Sequence, residues 1–197
     1  MSRLILLLIV PVLIAACINP PPEELDRSVF IADTQYPDLP AYTEWGYNTF
    51  GAHFNEDVFL YTSSVTARAT KDTLTFEFCG TLKKASPHES VTVYFSLAEK
   101  HPSTYADLVA LHAASFDLTS PTAITSLYVN GKRKKGTISN GHLQFKRAQY
   151  LLVNGQPDRV ILSGYFDFQF LTDTHQTITV KDGRFDIGIN GNNFYMY

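Results

Sequence analysis

Four carboxylates near the C-terminus, Asp167, Asp173, Asp182 and Asp186, sit in or beside stretches whose residues alternate between apolar and polar. On adjacent strands two of them could meet, and a carboxylate pair flanking a sugar bond is what glycoside hydrolysis requires. Ordinary polar residues on a solvated sheet face fit the same alternation better. The pattern holds no twelve-residue loop with calcium-ligand spacing. The histidines (His53, His88, His101, His112, His142, His175) show neither a H-E-x-x-H helix nor a His/Cys cluster. Ser163, in Leu162-Ser163-Gly164-Tyr165, reads as the start of a strand and not as a nucleophile elbow. Cys79 reads as a small buried hydrophobe. The sequence therefore designates no catalytic residue, no metal site and no cofactor, and the chain reads as non-enzymatic.

Two groups of residues could bind instead. Trp45 stands with Tyr42, Tyr47 and Tyr36 in an aromatic stretch ahead of the alternating segments. Exposed aromatics stack on sugars and anchor interfaces, and buried ones would seal an end of the core. Lys132-Arg133-Lys134-Lys135 follows an Asn-Gly pair. Four cations at a hairpin tip could touch anionic lipid headgroups or acidic glycans. They would equally serve as a solvated turn that opposes edge-to-edge aggregation.

A third chemistry lies at the N-terminus. Arg3 is followed by an apolar run over residues 4–14, broken by Pro11, and then by Ala15-Ala16-Cys17. This is the layout of a secretory signal. The run is too short for a membrane-spanning helix, which needs about 20 apolar residues. Ile14-Ala15-Ala16-Cys17 resembles the lipobox of bacterial lipoproteins. That resemblance implies a diacylglyceryl group on the Cys17 thiol, cleavage before Cys17 and acylation of the new amine. Each buried CH₂ contributes about 0.8 kcal/mol, so two or three chains anchor a protein stably. Pro20-Pro21-Pro22 and Glu23-Glu24 follow. Consecutive prolines favour an extended spacer of about 3.1 Å per residue. Ile18 is not the Asp that marks inner-membrane retention in some bacteria, so the resemblance implies the outer membrane.

Composition agrees with a small secreted domain. The formal charge is −3, and loss of residues 1–16 removes only Arg3. A mildly acidic chain gives no basis for nucleic-acid binding. The remaining length suits one domain with a real core. With Cys17 acylated, Cys79 would have no disulfide partner.

These groups must be positioned by strands. Leu74, Phe76 and Phe78 alternate with Thr75 and Glu77, and Val91, Val93, Phe95 and Leu97 with Thr92, Tyr94 and Ser96. Phe166, Phe168 and Phe170 alternate with Tyr165, Asp167 and Gln169, and Phe185, Ile187 and Ile189 close the chain's pattern. Period two means one face on the core and one face wet, as in antiparallel sheet. Asn130-Gly131, Asn140-Gly141, Asn154-Gly155 and Asp182-Gly183 predict hairpin turns. Arg184 and Asp186 would then share a wet face, close enough for a weak ion pair. One segment breaks the alternation. Ser103 or Thr104 as a cap with Asp107 in the first turn, and Tyr105, Leu108, Val109 and His112 at helical spacing, predict a short helix over residues 104–113.

Two segments carry a further resemblance. Leu39-Pro40-Ala41-Tyr42-Thr43-Glu44-Trp45-Gly46-Tyr47-Asn48-Thr49-Phe50-Gly51 is the first. Ser163-Gly164-Tyr165-Phe166-Asp167-Phe168 with Asp182-Gly183-Arg184-Phe185-Asp186 is the second. Together they resemble a family of small Bacteroidota-type lipoproteins of unknown function. Asn55-Glu56-Asp57 departs from that family's Asn-Gly turn after the first strand. The resemblance implies an envelope lipoprotein and no catalytic residues.

The expected architecture is an antiparallel all-β domain, a β-sandwich or flattened barrel of about eight to ten strands with one short helix. A closed lipocalin-like barrel is the second choice. Residues 1–16 are the expected signal peptide, 17–38 the lipidated Cys and tether, and 39–197 the single β-rich domain. The expected function is a lipid-anchored binding or interaction module of the outer membrane, facing a glycan or an envelope protein. A barrel carrier for a small apolar ligand and a glycan hydrolase are the alternatives.

Overall fold

The computed structural model describes residues 26–63, 65–84 and 87–197; Cys17 and the proline spacer lie outside them. The chain forms β1 (Thr49–Phe54), β2 (Asp57–Tyr61), β3 (Thr66–Ala69), β4 (Thr73–Leu82) and β5 (Ser90–Ala98). A 3-10 helix over Tyr105–Leu111 leads to β6 (Ser115–Asp117), β7 (Ala123–Val129) and β8 (Lys132–Arg133). The long strands β9 (Gly136–Val153), β10 (Gln156–Thr172) and β11 (Thr177–Ile189) follow, and β12 (Phe194–Met196) ends the fold.

All-β antiparallel architecture is what forms. The strands make one open 12-stranded sheet in the order β6-β9-β10-β11-β1-β2-β4-β5-β7-β8. β3 pairs with β4 beside β2, and β12 adds to β3 in parallel, the one exception to the antiparallel rule. Twelve strands exceed the expected number because β6, β8 and β12 are two or three residues long. Segments that short cannot display a period-two pattern.

The sheet folds back on itself. Laid flat, β4 and β10 would stand roughly 19 Å apart, at about 4.8 Å per strand. Yet Phe78 of β4 lies 5.8 Å from Phe166 of β10, and Phe76 lies 5.4 Å from Phe145 of β9, centroid to centroid. Two layers therefore share one interior, filled by phenylalanine. Each such ring buried contributes about 1.5–3 kcal/mol. Among the described residues no ladder joins β6 to β8, so the sheet stays open and the closed barrel does not form. Edge strands of two and three residues are too short to complete one.

The turn signals divide. Asn130 (φ 51°) with Gly131 (φ 70°), and Asn154 (φ 53°) with Gly155 (φ 78°), do close tight hairpins. Asn140-Gly141 and Asp182-Gly183 lie inside β9 and β11, beside irregularities in the β9–β10 and β10–β11 ladders. A Cβ at Gly183 would stand 2.2 Å from the Phe166 carbonyl oxygen, and one at Gly141 2.6 Å from Phe168 Cβ. Glycine is needed there for close strand approach, and Asp182 (φ 55°) supplies the bulge. The first hairpin turns at Asn55 (φ 52°), where asparagine tolerates the left-handed conformation without a following glycine.

The helix is tighter and shorter than expected. Leu108 and Leu111, three apart, are its buried residues. Side chains at that spacing eclipse in a 3-10 turn, so the tight helix buries them together. The Asp107 carboxylate accepts from the Ser103 and Thr104 N–H groups (2.7 and 2.9 Å) and fixes its start. His112 lies beyond the end, exposed, and its Nδ1 accepts from Ala148 N–H at 3.3 Å.

Residues 26–38, expected as part of the tether, lie against the outer face of the second layer. Val29 N–H donates to the Tyr47 carbonyl, Ala41 N–H donates to the Ile31 carbonyl, and Ala32 bridges to Pro40. Leu39 is fully buried against Val58 and Leu60, with Tyr36 packed alongside, in a small second core. Residues 26–48 thus form a strap across β10, β11, β1 and β2.

Candidate functional site

The strap turns a sheet face into an interior. On β11 the outward residues are Arg184, Asp186 and Gly188, because Phe185, Ile187 and Ile189 fill the core. Arg184 is 7% exposed and Asp186 1%, which overturns the expected wet face. They do not pair with each other. Arg184 Nη1 donates to Asp33 Oδ2 at 2.6 Å, its Nε donates to the Asp182 carbonyl at 3.1 Å, and its guanidinium lies over the Tyr36 ring. Burial works against the charged form of Asp33, but N–H donation from Tyr36 and Gln35 and the Arg184 charge outweigh it, holding its carboxyl below the usual range.

Asp186 organises the loop that carries Trp45. Its carboxylate accepts from the Thr43 hydroxyl and from the N–H groups of Trp45 (3.1 Å), Gly46 (2.8 Å) and Tyr47 (3.2 Å). Gly46 takes φ +75°, a conformation that favours glycine. Beside it, Asn48 Oδ1 accepts from Gly188 N–H at 2.8 Å. A Cβ at Gly51 would stand 2.6 Å from Pro40, so glycine there admits Leu39-Pro40. Residues 39–51 and 182–188 are therefore two sides of one buried contact.

Trp45 itself points out. It is 71% exposed on a loop whose backbone is clamped from below. Tyr42, Thr43, Glu44, Trp45, Arg147 and Gln149 line a shallow cleft of about 390 Å³. Tyr42 stacks on Tyr165, with centroids 4.7 Å apart, and donates to Glu44 Oε1 at 2.8 Å. Burial, then Glu44, push the Tyr42 phenol up, so it is a donor at any physiological pH. Gln149 donates to the Glu44 carbonyl (3.0 Å) and accepts from Arg147 Nε (2.9 Å). The cleft thus sets an exposed indole, on a loop whose backbone is clamped, beside partly hydrogen-bonded polar groups.

Of the sequence-predicted binding residues, the structure brings Tyr42 and Trp45 together. Tyr47 is half-buried; its backbone holds the strap, and its ring is not part of the cleft lining. Lys132, Arg133, Lys134 and Lys135 are all exposed on and after β8. The Lys135 carbonyl accepts from Asp173 N–H at 3.1 Å, whereas the Trp45 loop sits over Asp186, the ladder partner of Ser163. Ser163 and Asp173 lie on the order of 30 Å apart along extended chain, so cations and aromatic cleft are separate features.

The C-terminal carboxylates do not converge on one site. Asp182 Oδ2 is 2.9 Å from His53 Nδ1, Asp167 stands exposed 3.9 Å from His142, Asp173 lies beyond the end of β10 and Asp186 is enclosed. Cys79 is not in the core either. It is half-buried on the outer face of β4, with Sγ 3.4 Å from Glu77 Oε1, and burial pushes its thiol up. Among the described residues no group of three or more His, Cys, Asp or Glu could hold a metal ion, and no helix is long and apolar enough to cross a membrane.

Sequence reasoning missed Asp186, Glu44, Arg147 and Gln149 as contributors to the site. The available signal was the run of small outward residues, Gly51, Ser163 and Gly188, on strands otherwise rich in large side chains. The fold and site together define an antiparallel β-sandwich with a strap-covered face and an aromatic cleft at the strap's turn. A scan against protein-family models, a search of curated proteins and a search of solved structures each gave no match.

Proposed function

We propose that the protein is a lipid-anchored module of the cell envelope that binds through the Trp45 cleft and performs no catalysis. The observation that carries this reading is an indole 71% exposed on a loop fixed by four hydrogen bonds to a buried carboxylate. A large apolar ring displayed in water from a preorganised backbone spares a ligand the cost of ordering the loop when it covers the ring. The carboxylates that might do acid–base work are committed elsewhere, Asp186 to the loop and Asp182 to His53. The phenylalanine-filled interior speaks for surface binding over a carrier cavity. The lipobox-like end and proline spacer support anchoring at the outer membrane through acylated Cys17.

Anchoring and binding are tested separately. Cys17→Ser should release the protein from the membrane fraction of its host, and a protein that stays there sinks the anchor. A photoreactive amino acid at position 45 should give cross-linked adducts in intact cells, while the same group at Ser126, on the far layer, should not. Equal labelling at both positions would remove the cleft from the proposal.

A further inference from the structure

The cleft's chemistry names a ligand class. We infer that the Trp45 cleft is a subsite for one pyranose ring of a neutral glycan, with vicinal hydroxyls directed at Arg147 and Glu44. This rests on the reading of the cleft as the binding site.

Three observations converge. Trp45 offers a flat apolar plate, which suits the C–H face of a sugar ring. Beside it, Arg147 donates through Nε to Gln149, and its two terminal amino groups carry no hydrogen bond to the described protein. Glu44 Oε1 accepts from Tyr42, while Oε2 stands 3.7 Å from Arg147 Nε, too far for a hydrogen bond. Charged donors therefore adjoin a carboxylate acceptor with capacity to spare. Neighbouring hydroxyls, each both donor and acceptor, match that pairing. The charges of Arg147 and Glu44 offset one another, so the cleft does not favour an anionic ligand. Arg147 and Glu44 form only a long ion pair, Nε to Oε2 3.7 Å, while Gln149 accepts from Arg147 Nε and donates to the Glu44 backbone carbonyl. The volume of about 390 Å³ suits one ring with open ends, as a chain passing across the surface needs.

The experiment uses the single tryptophan as its own reporter. The full-length protein, in a polyoxyethylene detergent with no sugar headgroup, is titrated with neutral gluco-, manno- and galacto-oligosaccharides and with oligogalacturonate. Saturable quenching and a blue shift with at least one neutral oligosaccharide, and at least tenfold weaker response to oligogalacturonate, are expected. By calorimetry, Arg147→Ala and Glu44→Gln should each weaken binding tenfold or more, Trp45→Ala should abolish it and Trp45→Phe should retain most of it. Normal unfolding curves for these variants keep the result independent of folding. No response to any neutral oligosaccharide at millimolar concentration overturns the inference. So does preferential binding of oligogalacturonate that Arg147→Ala removes. If cross-linking from position 45 then captures an envelope protein, the sugar class falls while the cleft reading stands. If it captures nothing, both fall.

Discussion

The two outer faces of the sandwich carry the same kind of residues and meet opposite fates. On the strap-covered face, Arg184 and Asp186 are 7% and 1% exposed. On the other layer, Arg68 of β3 and Glu77 of β4 form a 2.8 Å ion pair whose side chains are 42% and 16% exposed. Glu77 also accepts from Thr66, Tyr94 and Cys79; against its burial, donation from Arg68, Cys79 and Tyr94 and the Arg68 charge hold its carboxyl low. Burial followed by the Glu77 charge push the Tyr94 phenol up to about 12. That cluster is a surface network built by neighbours on the same sheet. The Arg184 and Asp186 contacts are an interior built by chain from over a hundred positions upstream. An outward polar residue on a strand therefore does not imply water above it. What covers the strand decides its energetics, and that is fixed by distant sequence.

The sharpest way to break this contrast is Asp186→Ala. It leaves the Thr43 hydroxyl and three backbone N–H groups without an acceptor under the strap. Each buried unsatisfied group costs about 1–3 kcal/mol, and relaxation of the loop recovers part of it, so a net loss of about 3–5 kcal/mol is expected in urea unfolding. Fluorescence anisotropy of Trp45 should fall at the same time, because its loop loses its clamp. Unchanged anisotropy would mean that Asp186 does not set the loop.

Acid should loosen the covered face through Asp33. Its native pKa lies below the ordinary value of 3.8, so the stability it contributes is fully present above about pH 4. That contribution is lost as pH falls through the lower native value. Amide protection at Gln35 and Tyr36, whose N–H groups bond Asp33 Oδ1, should drop over that acid range once intrinsic exchange is corrected for. Asp33→Asn should already show the lower protection at pH 7. A pH-independent protection pattern would assign the strap's hold to Leu39 and Tyr36 packing instead.

How much of this was legible follows the same division. Core phenylalanines such as Phe76, Phe78, Phe166 and Phe185 were readable because period two is a local property of the chain. So were the Asn130-Gly131 and Asn154-Gly155 turns, where backbone conformation is set within two residues. Gly141 and Gly183 misled because glycine answers two needs, positive φ and missing Cβ, and the sequence does not say which. Arg184 and Asp186 misled because their partners are Asp33 and the Trp45 loop, and no local pattern marks long-range coverage. Trp45 and Tyr42 were identified by residue type alone, whereas Arg147 and Gln149 reach the cleft from β9 only because the β9–β10 register shifts between Phe145 and Arg147, which period-two alternation does not foresee.

On the open face, Glu77→Gln should cost far less than Asp186→Ala, about 0.5–1 kcal/mol, because the Arg68 pair is partly solvent-screened. A double-mutant cycle with Arg68→Ala isolates the pair from the Tyr94 and Thr66 bonds. A coupling as large as the covered face shows would mean that something also covers this layer in the working protein.

The smallest effect on stability should come from the residue most important to the proposed function. Trp45→Ala removes an indole that is 71% exposed and leaves its backbone N–H on Asp186, so unfolding should shift by no more than about 0.5 kcal/mol. The clamp and the plate are then separable: Asp186 supplies rigidity to the fold, and Trp45 supplies contact area that the fold does not use. A loss above about 2 kcal/mol would mean that the indole packs into the domain in solution, and the cleft would no longer have its aromatic floor. Urea melts of Trp45→Ala and Trp45→Phe, followed by far-ultraviolet dichroism because the fluorophore is gone, decide between these outcomes.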